Sequence, residues 1–252
     1  MFKEFFVLLL LAHTVGDFYA QSDAISNKKD EKIIWLFFHS FLYWAITMGL
    51  FVLVKSKAVF VFGSLSAFVH FIIDFVKSVY VRRKNKKGEI EQAKLRDIFF
   101  IDQLLHLISI IFIAYLFIFF GNILIVNENL LNLFTTIGIS KTLTLSWITM
   151  VLIVHKPTNI AISRILAIYR PIILEEKLED RKAGRLIGTL ERIIIVILID
   201  LKQYSAIGLV LTAKSVARYD KITKDPYFSE YYLIGTLLST LCAIGISLLL
   251  KI

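Results

Sequence analysis

Long apolar segments separated by short charged stretches dominate this chain and predict helices that cross a membrane. The apolar runs are continuous and do not alternate residue by residue, so they do not fit the strands of a membrane β-barrel. The borders between apolar and charged residues predict eight helices, at 2–20, 34–54, 58–80, 98–120, 143–168, 186–200, 205–219 and 231–251.

The predicted fold class is all-α, a polytopic helical membrane protein with about seven or eight transmembrane or re-entrant helices. The helices at 186–200 and 205–219 are short for a hydrocarbon core of about 30 Å. Pro157 lacks a backbone donor and predicts a break in the fifth helix. The whole chain is predicted to form a single integral membrane domain, in which 1–120 is a four-helix part and 143–252 holds the C-terminal helices.

Basic residues collect in three predicted loops, at 21–33, 81–97 and 169–185. Alternate passage of the helices places these loops on one side of the membrane, and their lysines and arginines mark that side as cytoplasmic. The amino terminus then lies outside, in what is predicted to be a bacterial cytoplasmic membrane. The first segment is predicted to be a retained helix and not a signal peptide, because His13 and Asp17 interrupt it.

The composition agrees with a membrane protein, since 57% of the residues are hydrophobic and the mean hydropathy is +0.73. A net charge of +9 that collects in loops favours contact with anionic lipid head groups, so no nucleic-acid partner is expected. Cys242, the single cysteine, excludes intramolecular disulfides and cysteine-rich metal sites. The oligomeric state does not follow from the sequence.

Histidine and aspartate residues interrupt the first four apolar segments, and such groups in a membrane span are costly enough to indicate function. Three histidine–aspartate pairs have a spacing of four residues, which places both members on one face of a helix. The pairs are His13 with Asp17, His70 with Asp74, and Asp102 with His106, and His39 adds a fourth histidine.

All these side chains are predicted to lie about 5–15 Å below the cytoplasmic interface, given a helical rise of about 1.5 Å per residue. Residues that were polar by chance would scatter in depth, so the agreement favours one metal or proton site over separately packed histidines. Mixed imidazole and carboxylate ligands suit Zn, Mn or Fe, as one ion or two. The predicted metal ligands are His13, His39, His70, Asp74 and His106, and the predicted catalytic carboxylates are Asp17 and Asp102.

Other polar residues near the cluster have separate interpretations. Gln21 and Gln103 flank it and are either hydrogen-bonding neighbours of the ligands or ordinary interfacial residues. Ser40 follows His39, but nothing in the sequence supports a nucleophilic role for it. His155 lies at a different predicted depth and is left out of the ligand set.

A second polar set follows towards the carboxyl terminus, near the same predicted face. Lys214 and Arg218 lie one helical turn apart and are suited to gripping an anionic head group or phosphate, with snorkelling interfacial cations as the alternative. Glu191 and Arg192 lie further in and are expected to form ion pairs with another helix. The predicted substrate-binding residues are therefore Arg192, Lys214, Arg218 and Glu191.

Two resemblances add to this interpretation. The opening LLAHTVGDFYAQ, the pairs HFIID and DQLLH, and the later segments AGRLIGTLERIIIVIL, AIGLVLTAKSVARY and EYYLIGTLLS resemble a bacterial membrane family catalogued as domain of unknown function 3307. This likeness runs from about residue 5 to residue 245 and implies no activity. The HS of FFHSFL and the H-x-x-x-D of HFIIDF are similar to elements of membrane-bound metal-dependent hydrolases of the LexA-binding inner-membrane type. That second likeness implies a hydrolase, with His39, Ser40, His70 and Asp74 at the matching positions.

The expected function is an intramembrane metal-dependent hydrolase that acts on a phosphorylated or anionic lipid at the cytoplasmic leaflet. Two alternatives stay open, namely a proton- or metal-coupled transporter and a membrane scaffold stabilised by a metal. The sequence contains no Walker loop, no G-x-S-x-G and no H-E-x-x-H motif.

Overall fold

Helices make up the secondary structure of the computed structural model of this chain. No β-strand occurs in the part of the chain that is described, in agreement with the predicted all-α class. Positions 22–32, 86–89 and 170–177 are not described, so much of the three basic loops lies outside the described residues. The structure describes residues 1–21, 33–51, 54, 56–85, 90–124, 136, 141–169 and 178–251.

The eight predicted helices all have counterparts in the structure. Helices α3, α4 and α6 extend beyond the predicted borders, because the lysine, arginine, glutamate and glutamine residues at their ends are good helix formers that a hydropathy pattern does not count. The elements in chain order are α1 (Phe2–Thr14), a π-helical turn (Val15–Ala20), α2 (Ile33–Phe51), α3 (Lys57–Asn85), α4 (Gln92–Phe119), α5 (Lys141–Leu166), α6 (Leu178–Asp200), α7 (Tyr204–Val216), α8 (Tyr219–Lys224) and α9 (Pro226–Lys251).

In the first compact unit, Met1–Thr149, polar side chains share the interior with apolar ones, and large apolar side chains lie on the outside. One face of α3 buries Ser66, His70, Asp74 and Ser78. The opposite face exposes large apolar side chains at helical spacing, an arrangement that suits contact with lipid and not with water. The exposed stripe comprises Val61, Leu65, Phe68, Ile72 and Val76.

Five of the described helices, α2, α3, α4, α5 and α9, are long and apolar enough to cross a membrane, by length and composition. The α1 helix is shorter, but it continues into the π-helical turn, so that 2–20 is helical throughout and about 28 Å long at about 1.5 Å per residue. The α7 helix is apolar but has only 13 residues. These helices support association with a membrane, whereas the number of spans stays a prediction.

Helix α1 is buried on all its sides from residue 5 to residue 14, as expected of a helix that is apolar all round. It packs against α2 and α4. The ring of Phe5 lies 4.1 Å from that of Phe117 in α4 and 6.1 Å from that of Phe51 in α2, measured between centroids. This packing holds the end of α1, which carries His13, inside the unit.

The second compact unit, Met150–Ile252, contains α6 packed against α9 and α7. The predicted break in α5 is wrong, because the helix continues through Pro157. Proline removes the donor for the carbonyl group four residues earlier, which belongs to Ile153. The hydroxyl group of Thr158 donates to that carbonyl oxygen at 2.7 Å and so replaces the missing backbone donor.

Candidate metal centre

The end of α1 and the π-helical turn that follows it carry the first candidate pair. His13 is at the end of α1 and Asp17 is inside the turn, and Nδ1 of His13 lies 3.9 Å from Oδ2 of Asp17. Turns of this kind are rare and occur often at functional sites. Gly16 in the turn permits a close approach by Tyr43, because a Cβ atom at Gly16 would lie 2.6 Å from Cδ2 of the tyrosine ring.

Three further helices bring the remaining predicted residues to the same place. Helix α2 supplies His39, α3 supplies one histidine–aspartate pair, and α4 supplies the other. All seven side chains are at most 7% exposed. The structure therefore assembles, in the interior of the first unit, the residues that the sequence predicted to lie at one depth.

Two aspartates connect the histidines. Nε2 of His70 donates a hydrogen bond to Oδ1 of Asp17 at 2.8 Å, and Nε2 of His39 lies 3.3 Å from the same oxygen. That His39 nitrogen is also 3.3 Å from Oδ2 of Asp74. Ligand atoms bound to one ion at about 2.0–2.2 Å are separated by about 3.0–3.5 Å. The two 3.3 Å distances from Nε2 of His39 to these carboxylate oxygens lie in that range.

Three overlapping sets of residues, which we call the cluster, each bring one potential ligand atom per member within 4.8 Å of the others. His70 belongs to the first and second sets and Asp74 to the second and third, so the sets are continuous. The sets are His13–Asp17–His70, His39–His70–Asp74 and Asp74–Asp102–His106.

Three histidines of the cluster have one ring nitrogen bonded and the other without a hydrogen-bond partner. Nε2 of His13 pairs with Oε1 of Gln103 at 3.3 Å, and Nε2 of His70 pairs with a carboxylate as described above. Nδ1 of His106 donates to the backbone carbonyl oxygen of Asp102 at 2.8 Å. The other ring nitrogen of each is buried and unpartnered. Ligating histidines show this arrangement, because the bonded N–H fixes the tautomer and leaves a lone pair for the ion.

Lys77 also joins the cluster, and the sequence interpretation missed it. Its Nζ donates to Oδ2 of Asp102 at 2.8 Å, and the side-chain amide of Gln103 donates to the same oxygen at 3.2 Å. Lys77 follows His70 by seven positions and Asp74 by three, which places all three on one face of α3. That spacing was a sufficient signal, but a lysine near the end of an apolar segment is usually interfacial.

Tyr43 is a second residue that the sequence interpretation missed. Its ring stacks on that of His70 with 3.8 Å between centroids, and its hydroxyl group is hydrogen-bonded to Ser66. Tyr43 follows His39 by four positions in α2, so helical spacing could have placed it beside the cluster. The stacking fixes the plane of the His70 ring.

The remaining polar residues that the sequence placed near the cluster differ in what they contact. The two hydrogen bonds of Gln103 confirm that it is a neighbour of the candidate ligands. Gln21 is buried at the end of the π-helical turn. The hydroxyl group of Ser40 donates to the carbonyl oxygen of Leu36 in its own helix. His155 is exposed on α5 and belongs to none of the three sets found among the described residues.

In the second unit, the half-buried Lys214 of α7 and the buried Glu191 of α6 form an ion pair. The distance from Nζ to Oε2 is 2.6 Å, which confirms the expected pairing of Glu191 with another helix. Nζ of Lys214 also lies 5.4 Å from the ring centroid of Tyr232. Arg218 is half-buried at the start of α8. Binding of a lipid head group by these residues stays a prediction.

Arg192 does not form the expected ion pair and bonds uncharged groups instead. It is 2% exposed, and its Nε donates to the carbonyl oxygen of Val154 at 3.0 Å. The two terminal nitrogens donate to Oγ of Ser239 at 3.1 Å and to Oδ1 of Asn159 at 2.7 Å. The guanidinium group thus joins α6 to α5 and α9, and a planar fork of donors is well suited to that geometry.

The fold and the cluster define an all-α, membrane-associated protein with buried histidines and carboxylates where four helical segments meet. Residues 5–134 match the sequence model of the family described as "Protein of unknown function (DUF3307)", and the chain belongs to this family. The match contains the whole cluster, but it is shorter than the likeness over residues 5 to 245 that the motifs indicated. No curated protein and no solved structure matches the chain.

Proposed function

We propose that this protein is an intramembrane metal-dependent hydrolase that acts on a phosphorylated or anionic lipid at the cytoplasmic leaflet of a bacterial membrane. One observation carries the proposal: His13, His70 and His106 each bond one ring nitrogen and keep the other buried and unpartnered. Nearby aspartates add oxygen ligands. Such a donor set suits Zn, Mn or Fe, as one ion or two.

The chain provides groups for each part of hydrolysis. A bound divalent ion supplies an activated water molecule and polarises the scissile bond. Asp102 is suited to accept a proton from that water, because Lys77 and Gln103 hold its Oδ2 while its buried Oδ1 has no hydrogen-bond partner. Asp17 contacts His70 directly and is the better placed of the two carboxylates to orient a ligand.

The substrate class follows from charge. Lys77 is the most exposed of the ion-paired groups around the cluster, at 18%, and it lies on α3 towards the end that carries Arg82, Arg83 and Lys84. A basic end of this kind attracts anionic lipid head groups. Within the second unit, we propose that Lys214, Arg218 and Glu191 bind an anionic head group, which the Lys214–Glu191 pair opens to admit. Arg192 would support this group of residues by joining α6 to α5 and α9.

The test is metal content and hydrolysis by detergent-purified protein, with the His70→Ala/Asp74→Ala variant beside the wild type. We expect one or two equivalents of a transition metal in the wild type and a loss of more than about tenfold in the variant, because removing ligands typically costs at least that much affinity. His155→Ala is the matched control, since this histidine is exposed outside the cluster.

The second part of the experiment measures, in the same samples, the release of phosphate or of the head group from phospholipids and isoprenyl phosphates. We expect release by the wild type and by His155→Ala, and none by the double variant. Full metal retention in a folded double variant would refute the site.

The low exposure of the cluster side chains, at most 7%, favours a second candidate function, passage of a metal ion or proton, because a small ion needs less access than a lipid. Uptake of Zn or Mn into proteoliposomes distinguishes the two. Uptake that is lost in the double variant, without any hydrolysis, would support a transporter. Bound metal with neither activity would support a metal-stabilised scaffold.

A further inference from the structure

In the second unit, polar atoms without a partner accompany the ion pair of Lys214 and Glu191. Oε2 of Glu191 is 2.6 Å from Nζ of Lys214, whereas Oε1 is buried and has no hydrogen-bond partner in the described part of the chain. The hydroxyl groups of Tyr232 and Thr236, one turn apart on α9, are also buried and unpartnered among the described residues. Buried polar atoms in native proteins are usually bonded, so these atoms point to a bound molecule that supplies their partners.

Lys214 shows which chemical group this place accepts. Its primary ammonium group contacts the carboxylate of Glu191 and lies 5.4 Å from the ring centroid of Tyr232, within the range of a cation–π interaction. Glu191 is 5% exposed, and a buried carboxylate needs a positive partner. If Lys214 turns away to bind an anion, another cation must therefore take its place beside Glu191.

A head group that is only anionic does not meet this requirement. It would draw Lys214 away and leave the Glu191 carboxylate buried, uncompensated and close to a second negative charge. A head group with both a phosphate and a primary ammonium group forms two neutral pairs instead, one with each residue. Arg218 is half-buried four positions after Lys214 and adds a second cation for the phosphate.

We propose that Glu191, Lys214 and Tyr232 form a site for a phospholipid head group that carries a primary ammonium, namely phosphoethanolamine. The inference rests on the proposed head-group binding by the second unit and names the head group. The ammonium group donates to Glu191 and lies against the Tyr232 ring, where Nζ of Lys214 lies in the structure. Lys214 and Arg218 then hold the phosphate.

The surroundings of the site favour a lipid over a soluble molecule with the same head group. Leu233 and Leu237 directly follow Tyr232 and Thr236 on α9, and they are 57% and 54% exposed. Exposed leucines offer apolar surface to acyl chains. The side chain of Lys214 is 20% exposed, so a head group can reach the ion pair from the surface of the unit.

The experiment titrates full-length, detergent-purified protein with short-chain lipids and measures the bound lipid by native mass spectrometry. Three lipids share their acyl chains and carry phosphoethanolamine, phosphocholine or phosphoglycerol. We expect the phosphoethanolamine lipid to bind at least about tenfold more tightly than the others, the usual effect of a hydrogen bond between charged groups. Phosphocholine has no N–H group for Glu191, and phosphoglycerol has no ammonium group. Soluble phosphoethanolamine should bind more weakly than the lipid.

Glu191→Gln tests the carboxylate, because it should affect two lipids differently. We expect about tenfold weaker binding of the phosphoethanolamine lipid, and equal or tighter binding of the phosphoglycerol lipid, since the carboxylate no longer repels the phosphate. A misfolded protein would lose both. Lys214→Met should weaken both, because both lipids carry a phosphate. Glu230→Gln, which removes an exposed glutamate of α9, is the matched control and should behave as the wild type.

Each outcome decides the inference. Equal or tighter binding of the phosphocholine or phosphoglycerol lipid by the wild type would overturn the choice of head group, and equal binding of soluble phosphoethanolamine would overturn the choice of a lipid. Binding of none of the lipids would refute head-group binding by the second unit. Metal content and hydrolysis are separate measurements, so failure of the proposed hydrolase is a distinct result. If Glu191→Gln is not monodisperse, the order of the lipids in the wild type remains decisive.

Discussion

At the scale of single residues, the shape of the cluster depends on the missing side chain of Gly16. The ring of Tyr43 occupies the space where a Cβ atom of residue 16 would be, and that ring stacks on His70. His70 in turn donates to Asp17. The close approach of Tyr43 to Gly16 therefore affects the position of His70, a candidate ligand.

Gly16→Ala is expected to lower the free energy of unfolding by about 1–3 kcal/mol, the usual cost of overpacking a well-filled interior. It should also weaken metal binding, because Tyr43 must move and the His70 ring moves with it. Titration with SDS in mixed micelles measures the first effect, and a competition assay with a metal-sensitive dye measures the second.

Gly49→Ala is the matched control for this prediction. Gly49 is in α2, and a Cβ atom there would meet nothing within 4 Å. We expect no loss of stability and no change in metal affinity. Equal effects from both substitutions would mean that Tyr43 does not transmit the contact.

The sequence was sufficient to predict the histidines and aspartates of the cluster, but not all their neighbours. Charged and imidazole groups are costly inside a membrane, so their mere presence at matched depth was informative. Tyr43 and Lys77 carry no such signal, because tyrosine and lysine are common near interfaces for reasons of solvation alone. Helical spacing places each of them on the face of its helix that carries cluster residues, but the bond of Lys77 to Asp102 and the stacking of Tyr43 on His70 are contacts between helices that such spacing does not show.

At the scale of elements, α5 shows that one side-chain hydroxyl group can replace the backbone hydrogen bond that a proline removes. The carbonyl oxygen of Ile153 would lack a donor at Pro157, and Thr158 supplies one. Arg192 donates to the next carbonyl oxygen, that of Val154. The predicted break is absent because the Thr158 hydroxyl group satisfies the carbonyl group that Pro157 leaves unpaired.

Thr158→Val is expected to cost about 1–3 kcal/mol of unfolding free energy, because the substitution keeps the shape of the side chain and leaves a buried carbonyl group unsatisfied. Thr212→Val serves as the control. The Thr212 hydroxyl donates to the carbonyl oxygen of Gly208 within α7 at an exposed position, so its loss should matter little. SDS titration of both variants checks the difference, and equal values would argue against repair of α5 by Thr158.

Element borders and the π-helical turn mark the limit of what hydropathy predicts. An apolar pattern indicates which residues are buried. It does not show whether a backbone N–H group donates to the carbonyl oxygen four residues earlier, as in an α-helix, or five residues earlier, as in a π-helix. The turn that holds Asp17 was therefore indistinguishable from the rest of the first predicted helix. Its observed geometry places Asp17 between histidines of three helices.

At the scale of the whole molecule, orientation in the membrane is the main untested prediction. The basic loops predict that the end of α3 and the start of α4 face the cytoplasm. His13, Asp17 and His39 lie towards the helix ends on that predicted side, whereas the cluster residues of α3 and α4 lie near the middle of their helices. The orientation therefore decides from which side a substrate or ion arrives. The opposite orientation would place the candidate metal centre near the outer surface.

Cysteine labelling in intact bacterial cells checks this orientation. The background is Cys242→Ala, which removes the single native cysteine, and each test variant adds one cysteine. Asn122→Cys, after α4, should react with a membrane-impermeant maleimide in intact cells. Lys87→Cys, between α3 and α4 in the sequence, should react only after the cells are permeabilised. The reverse pattern would contradict the predicted orientation.

The enclosure of α1 has a consequence for how the protein is made. This helix leaves the ribosome before α4, against which it packs, and α4 ends only at Phe119. At about 5–20 residues per second, its partner follows by several seconds, during which Asp17 has no histidine from α3 or α4 beside it. Closure of the cluster thus marks the end of insertion of α1 to α4, and the candidate metal centre is complete only after that step of biogenesis.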